Sequence, residues 1–186
     1  MMNSPKALLV LALFAACLSA NAQAPYAAPP NPGIEAAFGP EGGAEALILK
    51  HIAGAKSAIR VAAFAFSSPV IVDALAAAHK RGVDVQLVVD HEHNVGNDPK
   101  GIGRKALDTL VQAGATARTN NRYRIHHDKF IVVDSRDVQT GSYNYAVSAN
   151  RNSENVLVIH NDPALAAKYL AHWESRFREG APYPAR

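Results

Sequence analysis

Two short polar clusters flank an apolar run in this chain. His127-Asp128-Lys129 precede the run, Gly141-Ser142-Tyr143-Asn144 follow it, and Asp134 stands between. Side chains alternate faces along a strand, so His127 and Lys129 point one way together, and so do Ser142 and Asn144. Phe130-Ile131-Val132-Val133 is β-branched and aromatic enough to continue the first strand. Asp134-Ser135-Arg136-Asp137 is a turn-like tetrad leading into Val138-Gln139-Thr140. The spacing predicts a hairpin. One of its faces would gather an imidazole, an ammonium, a hydroxyl and a carboxamide, donors suited to phosphate oxygens with one nitrogen nucleophile among them. A phosphodiester repels nucleophiles through its own charge. Its cleavage therefore calls for a neutral nucleophile and preorganised positive groups, and this cluster has both.

The same residues spell H-x-K-x4-D followed by G-S-x-N, through His127, Lys129, Asp134, Gly141, Ser142 and Asn144, without gap or substitution. In this the chain resembles the phospholipase D superfamily. The motif occurs once, whereas the large lipid-hydrolysing members carry it twice, so the resemblance is to the small single-motif bacterial endonuclease subgroup. It extends over roughly residues 40–183, through Ser57-Ala58-Ile59-Arg60, Lys80-Arg81-Gly82-Val83-Asp84-Val85, Asn152-Ser153-Glu154-Asn155 and His172-Trp173.

The resemblance implies roles. His127 becomes the nucleophile that forms a covalent phosphohistidine, while a second histidine protonates the leaving oxygen and later activates water. With one motif per chain, that second histidine comes from another copy. A homodimer with a shared active site is expected, in which His127 meets its own symmetry mate. Lys129 and Asn144 would hold the phosphate oxygens, and Glu154 matches the acidic residue that orients the nucleophile. No metal and no cofactor is implied. Ser142 is placed to donate to phosphate or to hold a neighbour. Asp134 joins the catalytic set through the motif, but its place at the turn favours an architectural role. Two imidazoles sharing one anion would titrate as a coupled pair, and a bell-shaped pH profile is expected.

Other residues were weighed against plainer readings. His126 faces away from His127 on a strand and reads as structural. Asp90-His91-Glu92-His93 has no spaced second ligand pair and reads as a solvated loop rather than a metal site. Arg118, Arg122, Tyr123 and Arg124 form a basic stretch interleaved with an aromatic; Arg122 and Arg124 in particular are candidates to track a nucleic-acid backbone. Tyr143 and Tyr145 read as core. Leu165, Tyr169, Trp173 and Phe177 recur at helical spacing and predict a stripe packed on a sheet.

The elements that must position this cluster follow from periodicity and turn chemistry. Helices are expected over residues 44–55, 69–81, 104–112 and 163–177, and strands over 58–66, 83–89, 156–159 and the hairpin. Ser68-Pro69 opens one helix and Gly82 closes it. This alternation predicts an α/β fold, a mixed β-sheet flanked by helices on both faces, as in phospholipase D-like nucleases.

Lys6, an apolar stretch over residues 7–16 and Ala20-Asn21-Ala22 predict a signal peptide over residues 1–22, cleaved near Ala22. Phe14-Ala15-Ala16-Cys17 is a degraded lipobox, and lipidation at Cys17 is the rival outcome, the one case that would tether the protein to a membrane. An Ala/Pro-rich linker is expected over 23–38 and a single catalytic domain over 39–186. Cys17 is the only cysteine, so ordinary cleavage leaves a mature chain without disulfides. The formal net charge of +3 is too small to argue for a polyanionic partner from bulk charge, so that argument rests on local clusters. The expected function is a periplasmic or secreted, metal-independent phosphodiesterase, foremost a non-specific endonuclease acting on DNA, with RNA as a second candidate substrate. Alternatives are a phospholipase D-type lipid phosphodiesterase, against which the lack of long apolar loops for an acyl pocket argues, and a non-catalytic nucleic-acid-binding accessory of DNA transfer.

Overall fold

The computed structural model describes residues 33–41 and 43–184. The expected signal peptide, Cys17 and the first part of the expected linker lie outside the described residues.

The elements run β1 (Ile34–Gly39), α1 (Ala44–Ala53), β2 (Ala58–Ala63), α2 (Pro69–Lys80), β3 (Asp84–Asp90), α3 (Ile102–Gln112), β4 (Thr116–Asn120), β5 (Lys129–Val133), β6 (Asp137–Gly141), β7 (Glu154–Ile159), α4 (Pro163–Glu179) and β8 (Ala181–Pro182). They form one eight-stranded sheet in the order β1-β7-β6-β5-β2-β3-β4-β8. Strands β2, β3 and β4 are parallel, as α2 and α3 cross over between them. From β5 onward through β6, β7 and β1 the pairing is antiparallel. The sheet is therefore mixed, with helices on its two faces, the fold class expected from the sequence.

Strand alternation sorts the core into two layers. Ile59, Val61, Val85, Leu87, Val89, Ile131 and Val133 face α1, α2 and α3, packing with Ile48, Ile52, Leu75, Leu107 and Leu110. Ala62, Val88, Phe130, Val132 and Val138 face the other way onto Ala166 and Trp173 of α4. On this second face the Trp173 indole N–H donates to the Val61 carbonyl at 2.9 Å and its ring stacks on Phe177 at 4.5 Å. The predicted α4 stripe thus does pack on the sheet. Truncating a core residue such as Ile59 to alanine would cost about 2–5 kcal/mol.

Several segments depart from the periodicity reading. β1 falls within the stretch read as linker, and all six of its residues pair with β7. The strand expected over residues 58–66 stops at Ala63, one in-register bond, Phe64 N–H to the Asp128 carbonyl at 2.9 Å, lying beyond its end. β4 was not anticipated, because its sequence Thr-Ala-Arg-Thr-Asn lacks an apolar alternation. The stretch after Asp90, read as loop, contains a π-helical turn over Glu92–Gly96.

Candidate active site

The hairpin of β5 and β6 turns at Asp134 and Ser135, both at positive φ, with Arg136 N–H closing the turn on the Val133 carbonyl. Two consecutive left-handed residues match the twist of a tight hairpin. The opposite, open end of the hairpin carries the polar cluster. His127 lies just before β5 rather than within it, and Ser142 and Asn144 lie just after β6. All three sit beside the carboxyl end of β2, since Ala63 pairs with Lys129, and ligand sites of α/β sheets gather at the carboxyl ends of parallel strands.

The structure brings His127, Lys129, Ser142 and Asn144 together around an open cleft of about 680 Å³, which Asp128, Thr140, Lys168, Tyr169 and His172 also line. His127 is exposed. Its ring rests 4.9 Å from that of Phe64, and His93 packs on Phe64 from elsewhere at 4.4 Å. Lys129 Nζ donates to the His127 carbonyl at 2.8 Å and sits 5.1 Å from the Phe64 ring. Partial burial lowers the pKa of this ammonium, although Asp128 and Glu154 pull the other way. The side-chain oxygen of Asn144 is buried and has no hydrogen-bond partner among the described residues; being an acceptor it cannot bond a phosphate oxygen, so the Nδ2 amide is the group of this side chain that can donate to one.

Ser142 and Glu154 form one unit. Ser142 Oγ donates to Glu154 Oε2 at 2.5 Å and accepts from Asn155 N–H at 3.0 Å, while Asn152 Nδ2 donates to Glu154 Oε1 at 3.1 Å. Among the described residues no hydrogen bond joins Glu154 to His127. Within one chain, then, Glu154 is held by Ser142 rather than holding the imidazole. Gly141 permits this approach of β6 to β7: at φ +153° it occupies a conformation side chains rarely adopt, and a Cβ there would collide with the Asn155 carbonyl.

Asp134 is not in the cleft. It lies at the far end of β5, where its carboxylate accepts from the backbone N–H groups of Lys56, Ser57 and Ala58 at 2.9, 2.8 and 3.0 Å and from Ser57 Oγ at 2.8 Å. Burial works to raise its pKa, but these donors outweigh it and hold the carboxyl at about 2. Grouping Asp134 with the catalytic residues is corrected accordingly: its geometry ties the hairpin turn to the start of β2.

A buried network sets the backbone that presents His127. Asp90 accepts from His126 N–H and from His93 N–H, each at 2.8 Å, and Asn94 bonds the Phe64 and Asp90 carbonyls and Phe66 N–H. The Asp90-His91-Glu92-His93 run is thus spent on architecture. His126 is buried, and burial lowers its imidazole pKa. Tyr143 and Tyr145 are buried as expected. The Tyr143 hydroxyl meets Glu45 of α1 and Asn150, fixing the loop between Ser142 and Asn144.

The basic stretch divides. Arg118 donates to the Phe177 carbonyl at 2.8 Å and lies over its ring, so it anchors α4. Tyr123 donates to Glu179 at 2.8 Å under Arg176. Arg122 and Arg124 remain exposed between β4 and β5. Lys168, Tyr169 and His172 were not singled out from sequence as cleft residues; the i, i+4 spacing of Lys168 and His172 was the available signal, since it places both on one helix face.

Comparison with known proteins agrees with this geometry. The family described as the cardiolipin synthase, PLD-like domain matches residues 48–177. Phospholipase D of Rickettsia prowazekii is 35% identical over 144 residues, 77% of this chain and 67% of the relative. The mitochondrial cardiolipin hydrolase of Xenopus laevis is 30% identical over 135 residues, 73% of this chain and 61% of its own length. Among solved structures, Nuc of Salmonella typhimurium, a phospholipase D family member, is 41% identical with a TM-score of 0.78, covering 82% of this chain and 98% of that one. NucT from Helicobacter pylori, at 18% identity and TM-score 0.68 over 81% of this chain and all of its own, shares the fold. A motif complete in sequence, its His127, Lys129, Ser142 and Asn144 gathered in one cleft on a sheet of this order, and relatives of this kind lead to one conclusion: the chain belongs to the phospholipase D superfamily of phosphodiesterases.

Proposed function

We propose that the protein is a secreted or periplasmic, metal-independent endonuclease that cleaves DNA, and RNA as well, with little sequence preference. The observation that carries this reading is the open, polar cleft in which an exposed imidazole, a partly desolvated ammonium and a carboxamide able to donate through its Nδ2 surround one space. Its similarity to Nuc over nearly the whole length of that chain supports the single-motif assignment.

In this reading an imidazole nitrogen of His127 attacks phosphorus, a P–N bond forms and the P–O bond to the leaving nucleoside breaks. The leaving oxygen takes a proton from the partner's His127, which then removes a proton from the water that attacks phosphorus and releases His127. Lys129 and Asn144 of both copies neutralise and bond the non-bridging oxygens as charge builds. Glu154, locked by Ser142 and Asn152, is the carboxylate available to orient an imidazole across the dimer. Two exposed apolar side chains, Ile125 and Val147 at 47% and 55%, lie two and three residues in sequence from His127 and Asn144 and are available for a second copy to cover.

The lipid reading draws on the relatives named phospholipase D and mitochondrial cardiolipin hydrolase. Supercoiled plasmid in excess EDTA separates the two. Nicking by the wild type and none by His127→Ala supports the nuclease; no nicking by either, with hydrolysis of phospholipid vesicles, supports the lipid enzyme.

A further inference from the structure

The catalytic residues occupy only one wall of the cleft. The facing wall is one side of α4, which presents Lys168, Tyr169 and His172. α4 is held there firmly: the Tyr169 ring packs edge-on against Phe130 of β5 at 4.9 Å, and Trp173 anchors the next turn in the core. His172 is aimed by the segment that carries the nucleophile, because its Nε2 lies 3.0 Å from Asp128 Oδ2, one residue from His127. Asp128 is itself fixed, its carbonyl accepting from Phe64 N–H. With Nε2–H donating to this carboxylate, His172 in its imidazolium form, the form a carboxylate pairs with, has Nδ1–H left to donate to an anionic ligand.

Lys168 has no such partner. Among the described residues it makes no hydrogen bond or ion pair, and it is exposed at the cleft edge one helical turn from His172. Asp128, the carboxylate lining the same cleft, is engaged by His172 and lies 3.5 Å from His126 Nδ1. An unpaired ammonium facing a phosphate-binding wall, with a volume typical of an organic ligand rather than a lone phosphate, calls for a second anionic group on the substrate.

We infer that Lys168 and His172 form a second phosphate subsite, which takes the phosphate next to the scissile one on the same polynucleotide strand. The inference rests on the nuclease reading and adds a substrate requirement to it: the enzyme prefers a strand with successive phosphates to an isolated phosphodiester. Arg122 and Arg124, exposed on the β4–β5 connection, would continue the track beyond the cleft.

The test compares wild type, Lys168→Ala, Lys168→Arg and His172→Ala on two substrates: a single-stranded DNA oligonucleotide of about a dozen residues, and bis(p-nitrophenyl) phosphate, which has one phosphodiester. For Lys168→Ala, KM for the oligonucleotide is expected to rise roughly tenfold, and the salt dependence of log(kcat/KM) to fall in slope by about 0.7, one single-strand phosphate contact. The loss on the oligonucleotide should exceed the loss on the small diester several-fold, and Lys168→Arg should recover most of it. His172→Ala should show the same bias. Thermal melting of each variant separates these effects from misfolding. Equal losses on both substrates, or an unchanged salt slope, would overturn the subsite while leaving the nuclease reading intact. A wild type that cuts neither plasmid nor oligonucleotide, yet hydrolyses cardiolipin vesicles in a Lys168-dependent way, would assign the second phosphate to a lipid and overturn both.

Discussion

At the turn of the β5–β6 hairpin, Asp134 accepts hydrogen bonds from three backbone N–H groups and a hydroxyl. At the open end of the same hairpin His127 stands exposed, Asn144 keeps a buried oxygen without a partner, and Lys168 faces the cleft unpaired. The turn end continues in the same saturated manner: His160 bonds Glu35 at 2.7 Å, and Asp137 accepts from Asn161 N–H at 2.8 Å. Two ends of one hairpin, similar in polarity, thus differ in unused bonding capacity. The carboxylates that fix the turn have their partners supplied by the chain, whereas His127 and Lys168 leave theirs for a substrate to supply.

Exchanging damage between the two ends gives the sharpest break. His127→Ala should lower turnover by at least ~10⁴-fold while leaving the melting temperature nearly unchanged, because the side chain is exposed. Asp134→Ala should do the reverse. It strands the N–H groups of residues 56–58 and should cost about 3 kcal/mol of stability, with activity per folded molecule largely kept, as denaturant titration and active-site-normalised rates would show.

Acid should dissect the turn end. Burial pushes the pKa of His51, beneath the sheet near His160, down to about 4. An unfolded histidine titrates near ~6.5, so the stability contributed by neutral His51 is complete above that pH and drains as pH falls toward 4, up to about 3 kcal/mol. Asp134 acts lower. Its folded carboxyl titrates at about 2 and an unfolded aspartate near ~3.9, so its contribution is complete above about pH 4 and is lost as pH falls toward 2. Stability measured against pH should show both limbs; His51→Leu should flatten the first and Asp134→Ala the second. A smaller effect belongs to the boundary between the two regimes. Ser142→Ala frees Glu154 and should lower kcat roughly tenfold, as loss of a supporting hydrogen bond does, at a stability cost of about 1 kcal/mol.

Much of this contrast was legible in the chain itself. The motif named His127, Lys129, Ser142 and Asn144, and the apolar, β-branched runs of β2, β3 and β5 with the Ser68-Pro69 and Gly82 signals located most of the sheet and its helices. Strands at or next to the sheet's edges were harder. β1 alternates exposed and half-buried residues, and β4 is largely polar, so each is a strand because of its neighbour's ladder rather than its own pattern. The bonds of Asp134 to residues 56–58 and of Ser142 to Glu154 join segments distant in sequence, and spacing within a motif has no information about them. Lys168 escaped for the same reason: it is an ordinary surface lysine on α4 until the fold sets that helix across from the hairpin.

In the proposed mechanism His127, at the open end of the hairpin, is the nucleophile. The most direct measurement is mass spectrometry of the wild-type enzyme quenched in alkali during turnover of a labelled oligonucleotide, conditions under which a phosphorus–nitrogen bond to histidine survives. The account predicts a nucleotide adduct on the peptide containing His127, at His127 itself, and none in His127→Ala. Efficient cleavage with no adduct, or with the adduct on another residue, would contradict it.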